Sequence, residues 1–186
     1  MTDKDWQIIE PKLKIINYDK ADTILQAEEV CNKIRFINSG ITRMFYFDEN
    51  AKEFTCHLSF NKNNKNIIDY FAVDYNGFTT QTPSKYTIEA LEKTQMVEIS
   101  FDDIAEFSSQ TTVFEEIFKI VNTHINLTMR DNFIDINMLS NTDRYKLFIE
   151  TYKDIYKRIP QYIIASYLGI TPVALSRLKA KLENNL

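Results

Sequence analysis

Glycine is scarce in this chain, with three in 186 residues, at positions 40, 77 and 169. Glycines so far apart cannot build a GxGxxG or GxxxxGK phosphate cradle, which excludes the nucleotide-dependent chemistries those loops serve. The two cysteines, Cys31 and Cys56, have no CxxC spacing, so a zinc ribbon, a dithiol redox pair and a four-cysteine iron–sulfur cluster are excluded as well. Both read as packed thiols. Two histidines, His57 and His124, are too few for a metal constellation and read as surface or interface residues. No run approaches about 18 apolar residues, and the start, Met1-Thr-Asp-Lys-Asp-Trp6, has no basic segment followed by an apolar stretch. The expectation is a cytoplasmic protein without a membrane partner. No nucleophile–base pair appears either, so the chain is not read as an enzyme and no cofactor is expected.

Charge is unevenly shared. Residues 141–186 carry eight Lys or Arg against four Asp or Glu, net +4, while residues 1–140 carry fourteen against twenty-two, net −8. An acidic body with a basic end confines any nucleic-acid contact to that end, because neutralising phosphates supplies most of such affinity.

From about residue 22 to 100 the apolar period is two. In residues 53–60, Phe54, Cys56, Leu58 and Phe60 alternate with Glu53, Thr55, His57 and Ser59, the pattern of a half-buried strand. Residues 34–37 and 41–47 read as strands about an Asn38-Ser-Gly40 turn, and further strands fit 85–91 and 96–100. Short strands separated by polar turns predict an antiparallel sandwich, roll or barrel.

The period then becomes helical. Residues 102–107 suit a short helix, and residues 111–139 contain neither Gly nor Pro. Their apolar side chains Phe114, Ile117, Phe118, Val121, Ile125, Met129, Phe133, Ile136 and Leu139 recur every three or four positions. The segment predicts a helix of roughly 28 residues, about 42 Å long. So long a stripe either seats on a second copy, through Phe114, Phe118, Val121, Ile125 and Met129, or folds back over the sheet. Asn141 or Thr142 can cap a following amphipathic helix over 144–158, with Tyr145, Phe148, Tyr152 and Ile155 inward.

Residues 159–182 spell two short helices about a glycine. Pro160 sets the entry, residues 161–168 form the first helix, and Gly169 supplies left-handed backbone. Thr171 caps the second helix, with Pro172 in its first turn. Ala165 lets the helices cross closely over an apolar seam of Ile164, Leu168, Ile170, Leu175 and Leu178. This spacing predicts a helix-turn-helix that offers Gln161, Thr171, Val173, Ser176, Arg177, Lys179 and Lys181 to DNA. The predicted organisation is an effector domain over 1–110, a dimerisation helix over 111–140 and a DNA-binding unit over 141–186.

Three segments resemble the Crp/Fnr family of bacterial transcription regulators, in the short form that ends at the recognition helix. They are Glu29-Val-Cys-Asn-Lys-Ile-Arg-Phe-Ile-Asn-Ser-Gly-Ile-Thr-Arg43, Phe78-Thr-Thr-Gln-Thr-Pro-Ser-Lys-Tyr-Thr-Ile-Glu-Ala-Leu91, and Ile159-Pro-Gln-Tyr-Ile-Ile-Ala-Ser-Tyr-Leu-Gly-Ile-Thr-Pro172 with Leu175-Ser-Arg177. The resemblance implies an α+β fold: a cyclic-nucleotide-binding-like β-roll (a double-stranded β-helix or jelly roll), a dimerisation helix and a winged-helix-like reader whose wing is expected to be absent, since the sequence stops at Leu186. It implies double-stranded DNA, a second copy of the chain and RNA polymerase as partners, and no catalysis. Arg177 matches a family position that bonds a base edge. An effector pocket would involve Asp74, Tyr75, Ser84 and Lys85. The family's Gly-Glu pair for the ribose is missing from 66–77, and Ser84-Lys85 stands where Arg followed by Ser or Thr neutralises a cyclic phosphate, so cyclic AMP is not the expected effector. The competing reading is a ligand- or protein-binding scaffold whose helix-turn-helix is vestigial.

Overall fold

The computed structural model describes residues 2–61 and 67–183, apart from the side chains at 67, 126, 129, 131–137 and 183. The chain opens with a capped helix α1 (Asp3–Ile9), then strands β1 (Lys14–Tyr18), β2 (Thr23–Leu25), β3 (Lys33–Ser39), β4 (Ile41–Phe47) and β5 (Glu53–Phe60). A short helix α2 (Tyr75–Thr80) precedes β6 (Thr87–Ala90) and β7 (Thr94–Ser100). Helices follow to the end: α3 (Phe101–Ser108), α4 (Val113–Met138), α5 (Asn141–Thr151), α6 (Gln161–Tyr167) and α7 (Pro172–Glu183). The strands form two antiparallel sheets, ordered β1-β7-β3 and β2-β6-β4-β5. Ile24, Leu25, Ile37, Ile88 and Met96 fill the space between them, with Phe78 of α2 and Ile104 of α3 in the same core.

Gly40 makes the β3–β4 turn possible. Its φ is +99°, and a Cβ there would stand 2.3 Å from Oγ1 of Thr94 and 2.7 Å from the Thr94 backbone. Strand β5 departs from the expected alternation. Its register against β4 slips between the Met44–His57 and Phe45–Thr55 pairs, leaving Cys56 as an extra residue, a β-bulge. Beyond the bulge Leu58 and Phe60 join one core, while Ser59 Oγ bonds the Phe71 carbonyl and His57 turns toward Asp69. His57 is therefore not the surface histidine its sequence position suggests: its side chain is 17% exposed. One inserted residue has moved the next side chain to the other face of the sheet.

Helix α4 carries two apolar stripes. Phe114 and Phe118, with ring centroids 5.8 Å apart, pack on the β-sheet core, and Val121 is 4% exposed. Three of the five residues expected to meet a second copy are thus turned into their own protomer. Ile125 is half-buried, and the Met129 side chain lies outside the described residues, as do those of Phe133 and Ile136. The sequence pattern merges two stripes because both fit a 3.6-residue period. Ile117, Ile120, Leu127 and Met138 remain exposed.

The C-terminal helices do not stand apart. Ile41, Leu58, Phe60 and Leu91 of the four-stranded sheet and its loops share one core with Tyr145, Phe148, Tyr152, Ile155, Ile159, Ile163, Ile164, Ala165, Leu168 and Leu175. Helix α5 is capped by Ser140, whose Oγ accepts from the Asp143 amide at 3.2 Å, rather than by Asn141 or Thr142. It ends at Thr151, and a 3-10 turn, Tyr156–Arg158, completes the span expected as one helix.

Candidate nucleic-acid interface

Helices α6 and α7 meet around Gly169, whose φ of +68° turns the chain while the Ile170 amide bonds the Ala165 carbonyl at 3.0 Å. Thr171 then starts α7, its Oγ1 accepting from the Ala174 amide at 3.1 Å. Ala165 is fully buried at the crossing and Leu175 is 1% exposed, so the inner side of α7 belongs to the core, with Leu178 and Leu182 packed beside it. Val173, Ser176, Arg177 and Lys181 face outward. Lys179 Nζ donates to Gln161 Oε1 at 3.0 Å, tying the end of one helix to the start of the other. The seven expected DNA contacts therefore divide into two groups: Gln161 and Lys179 tie the helix pair together and Thr171 caps α7, while Val173, Ser176, Arg177 and Lys181 are presented to solvent.

The pair is anchored on the β-sheet by side chains. Ser166 Oγ accepts from the Thr55 amide at 2.8 Å and donates to the Glu53 carbonyl at 3.1 Å, so α6 bonds the backbone of β5 just before its bulge. Tyr152 and Tyr167 share a hydroxyl bond of 3.1 Å, with Phe148 against both rings. Arg158 donates twice to Glu92, at 3.1 and 2.6 Å. Below Tyr162 lies Arg43, 4% exposed, bonded to Glu89 at 2.6 Å and to Glu53, with the Phe45 ring 4.1 Å from its guanidinium. Burial works against that charge, but the bonds to Glu53 and Glu89 outweigh it and raise the pKa above the ordinary arginine value.

Of the four residues expected around an effector, Asp74 and Ser84 are engaged within the fold. Asp74 is buried and caps α2, accepting from the Gly77 amide at 3.1 Å. Ser84 Oγ is committed to both backbone groups of Tyr86, at 3.0 and 3.1 Å, and Lys85 is exposed. The Tyr75 hydroxyl is buried without a hydrogen-bond partner among the described residues, and burial drives its pKa well up. Polar interior groups that the sequence reading passed over include Arg35, 7% exposed and paired with Glu98 at 3.3 Å; Nη1 of Arg35 has no hydrogen-bond partner among the described residues. Its place on the same face as Ile37, two residues on, was the available signal.

A second buried polar group joins the sheet to the turn at Ile67–Tyr70. His57 Nε2 lies 3.7 Å from Asp69 Oδ1. Burial lowers the imidazole to about 4 and raises the carboxyl to about 7, so each is favoured in its neutral form. On α4, His124 places Nδ1 2.9 Å from the Ile120 carbonyl. Among the described residues no cluster of three His, Cys, Asp or Glu could hold a metal ion, and no helix is long and apolar enough to cross a membrane.

No protein-family model matches the sequence, and no curated protein matches it. Solved structures match the fold over nearly the whole chain. FixK2 from Bradyrhizobium japonicum is 12% identical at a TM-score of 0.75, over 93% of this chain and 85% of its own. The c-di-GMP-responsive global regulator CLP from Xanthomonas campestris is 10% identical at 0.76, over 99% and 93%. A transcriptional regulator of the Crp/Fnr family from Eubacterium rectale is 16% identical at 0.75, over 100% and 85%. The chain is thus similar in fold to Crp/Fnr regulators, with mixed α and β structure and antiparallel sheets.

Proposed function

We propose that the protein is a DNA-binding transcription regulator of the Crp/Fnr type and acts as a homodimer. The observation that carries this reading is the pose of α7: its apolar side is locked into a core, and the opposite side presents Arg177 and Lys181 with small and apolar neighbours. That is the presentation a recognition helix needs in a major groove, where arginine bonds the O6 and N7 edge of guanine and lysine approaches phosphate. Electrostatics agree, since the helical end carries the net positive charge.

Dimerisation runs along the exposed stripe of α4. Ile117, Ile120, His124 and Leu127 follow one another at steps of three, four and three, the spacing of a two-helix seam. Two copies joined there would carry their α7 helices to successive grooves about 34 Å apart. A change in how the α4 helices pack alters that separation, which is how an effector in the β domain would control DNA binding. We assign no cyclic nucleotide to that domain, because Ser84 is engaged by Tyr86 and Lys85 points to solvent.

Selection from a random duplex library, followed by anisotropy titrations at several salt concentrations, tests this reading. Specific binding that weakens steeply with salt and falls at least tenfold in Arg177→Ala supports it. Absence of any enriched sequence at low salt refutes it and leaves the scaffold reading.

A further inference from the structure

We propose that Val173 is a specificity-determining residue, reading the 5-methyl group of a thymine within about two base pairs of the guanine bonded by Arg177. This rests on the DNA-reading assignment and adds to it the chemistry of the half-site. Val173 is 61% exposed in the first turn of α7, while Leu175 behind it is 1% exposed, so valine here contributes nothing to the core. A β-branched side chain also lowers helix propensity slightly. Its surroundings on the outward face are Ser176 and Arg177, with Gln161 and Lys179 bonded to each other across the helix pair and Thr171 engaged in capping α7.

Geometry sets the spacing. Val173 and Arg177 are four residues apart and share a face, separated by about 6 Å along the helix axis. Successive bases are about 3.4 Å apart along a strand, so the two side chains span about two steps. The thymine methyl is the apolar feature among major-groove base edges, and it gives Val173 a partner to desolvate against. Cytosine at that position presents an N4 donor that valine cannot accept, and burying the donor unpaired is unfavourable.

Once an enriched duplex is in hand, each thymine of the half-site is replaced singly by deoxyuridine, which removes only the methyl group. Wild-type protein should lose about fourfold in affinity at one position within two base pairs of the Arg177-dependent guanine, the worth of one buried methyl. Val173→Ala should bind thymine and uracil duplexes alike there and still require the guanine; the site is exposed, so the variant folds. Equal binding of every uracil duplex by wild-type protein overturns the proposal, as does a Val173→Ala variant that keeps the methyl preference. Failure to enrich any duplex refutes DNA reading itself, a different result from a regulator that binds DNA without sensing the methyl.

Discussion

At the scale of single residues, the His57–Asp69 pair makes an unusual titration prediction. In the folded chain burial keeps both groups neutral, with one proton on Asp69; in the unfolded chain between about pH 4 and 6.5 both are charged, with that proton on the imidazole. The proton count is the same, so this pair leaves wild-type stability nearly flat over that range. Removing one partner uncovers the other. In Asp69→Asn the lowered His57 pKa gives stability that is present above about 6.5 and lost as pH falls toward 4, on the order of 3 kcal/mol. In His57→Gln the raised Asp69 pKa gives stability that is present below about 4 and lost as pH rises toward 7, by a similar amount. Urea titrations across pH should show slopes of opposite sign in the two variants, and parallel slopes would contradict the assignment. The turn glycines differ in the same spirit. Gly169→Ala meets nothing within 4 Å and faces only the left-handed backbone cost, about 1 kcal/mol. Gly40→Ala adds a collision with the Thr94 backbone and should lose more than about 2 kcal/mol in equilibrium unfolding.

At the scale of elements, α4 carries the sharpest test. Ile120→Asp, on the exposed stripe, should turn the proposed dimer into a folded monomer of 21.9 kDa by sedimentation with an unchanged circular dichroism spectrum. Val121→Asp, one residue away and buried, should lower stability by several kcal/mol. The existence of this helix was legible because 29 residues lack any breaker, and α6 and α7 were legible because Pro160, Gly169 and Thr171 mark their ends locally. Which face of α4 turns inward was not legible, because that depends on contacts with α3 and the turn at Ile67–Tyr70. The bulge at Cys56 escaped for a related reason: an extra residue in a strand leaves composition and propensity untouched and shows only in pairing. Strand β1 and helix α2 were missed too, the former because Lys14–Tyr18 alternates weakly and the latter because Gly77 and two threonines disguise a helix capped by Asp74.

At the scale of the whole molecule, the candidate reader and the β domain fold as one body. Ten side chains from residues 145–175 share a core with four from the sheet side, and Ser166 is bonded to the backbone on both sides of Phe54. Chemical unfolding should therefore give a single transition, with ellipticity and tyrosine fluorescence changing at the same denaturant concentration. Two separated transitions would show that the shared core is weak. The candidate DNA contacts were legible as residue types, but their division into four presented and three structural members required the hydrogen bonds of the folded pair.

The same shared core limits how the chain can be cut and recombined. A graft that replaces the segment after residue 140 with another protein's helices would leave Ile41, Leu58, Phe60 and Leu91 facing water unless the newcomer brought matching rings, and expression should fail through aggregation. Modular exchange of the C-terminal helices is closed by this shared core. Only the outward side of α7, with Val173, Ser176, Arg177 and Lys181, can be rewritten one side chain at a time without touching that core.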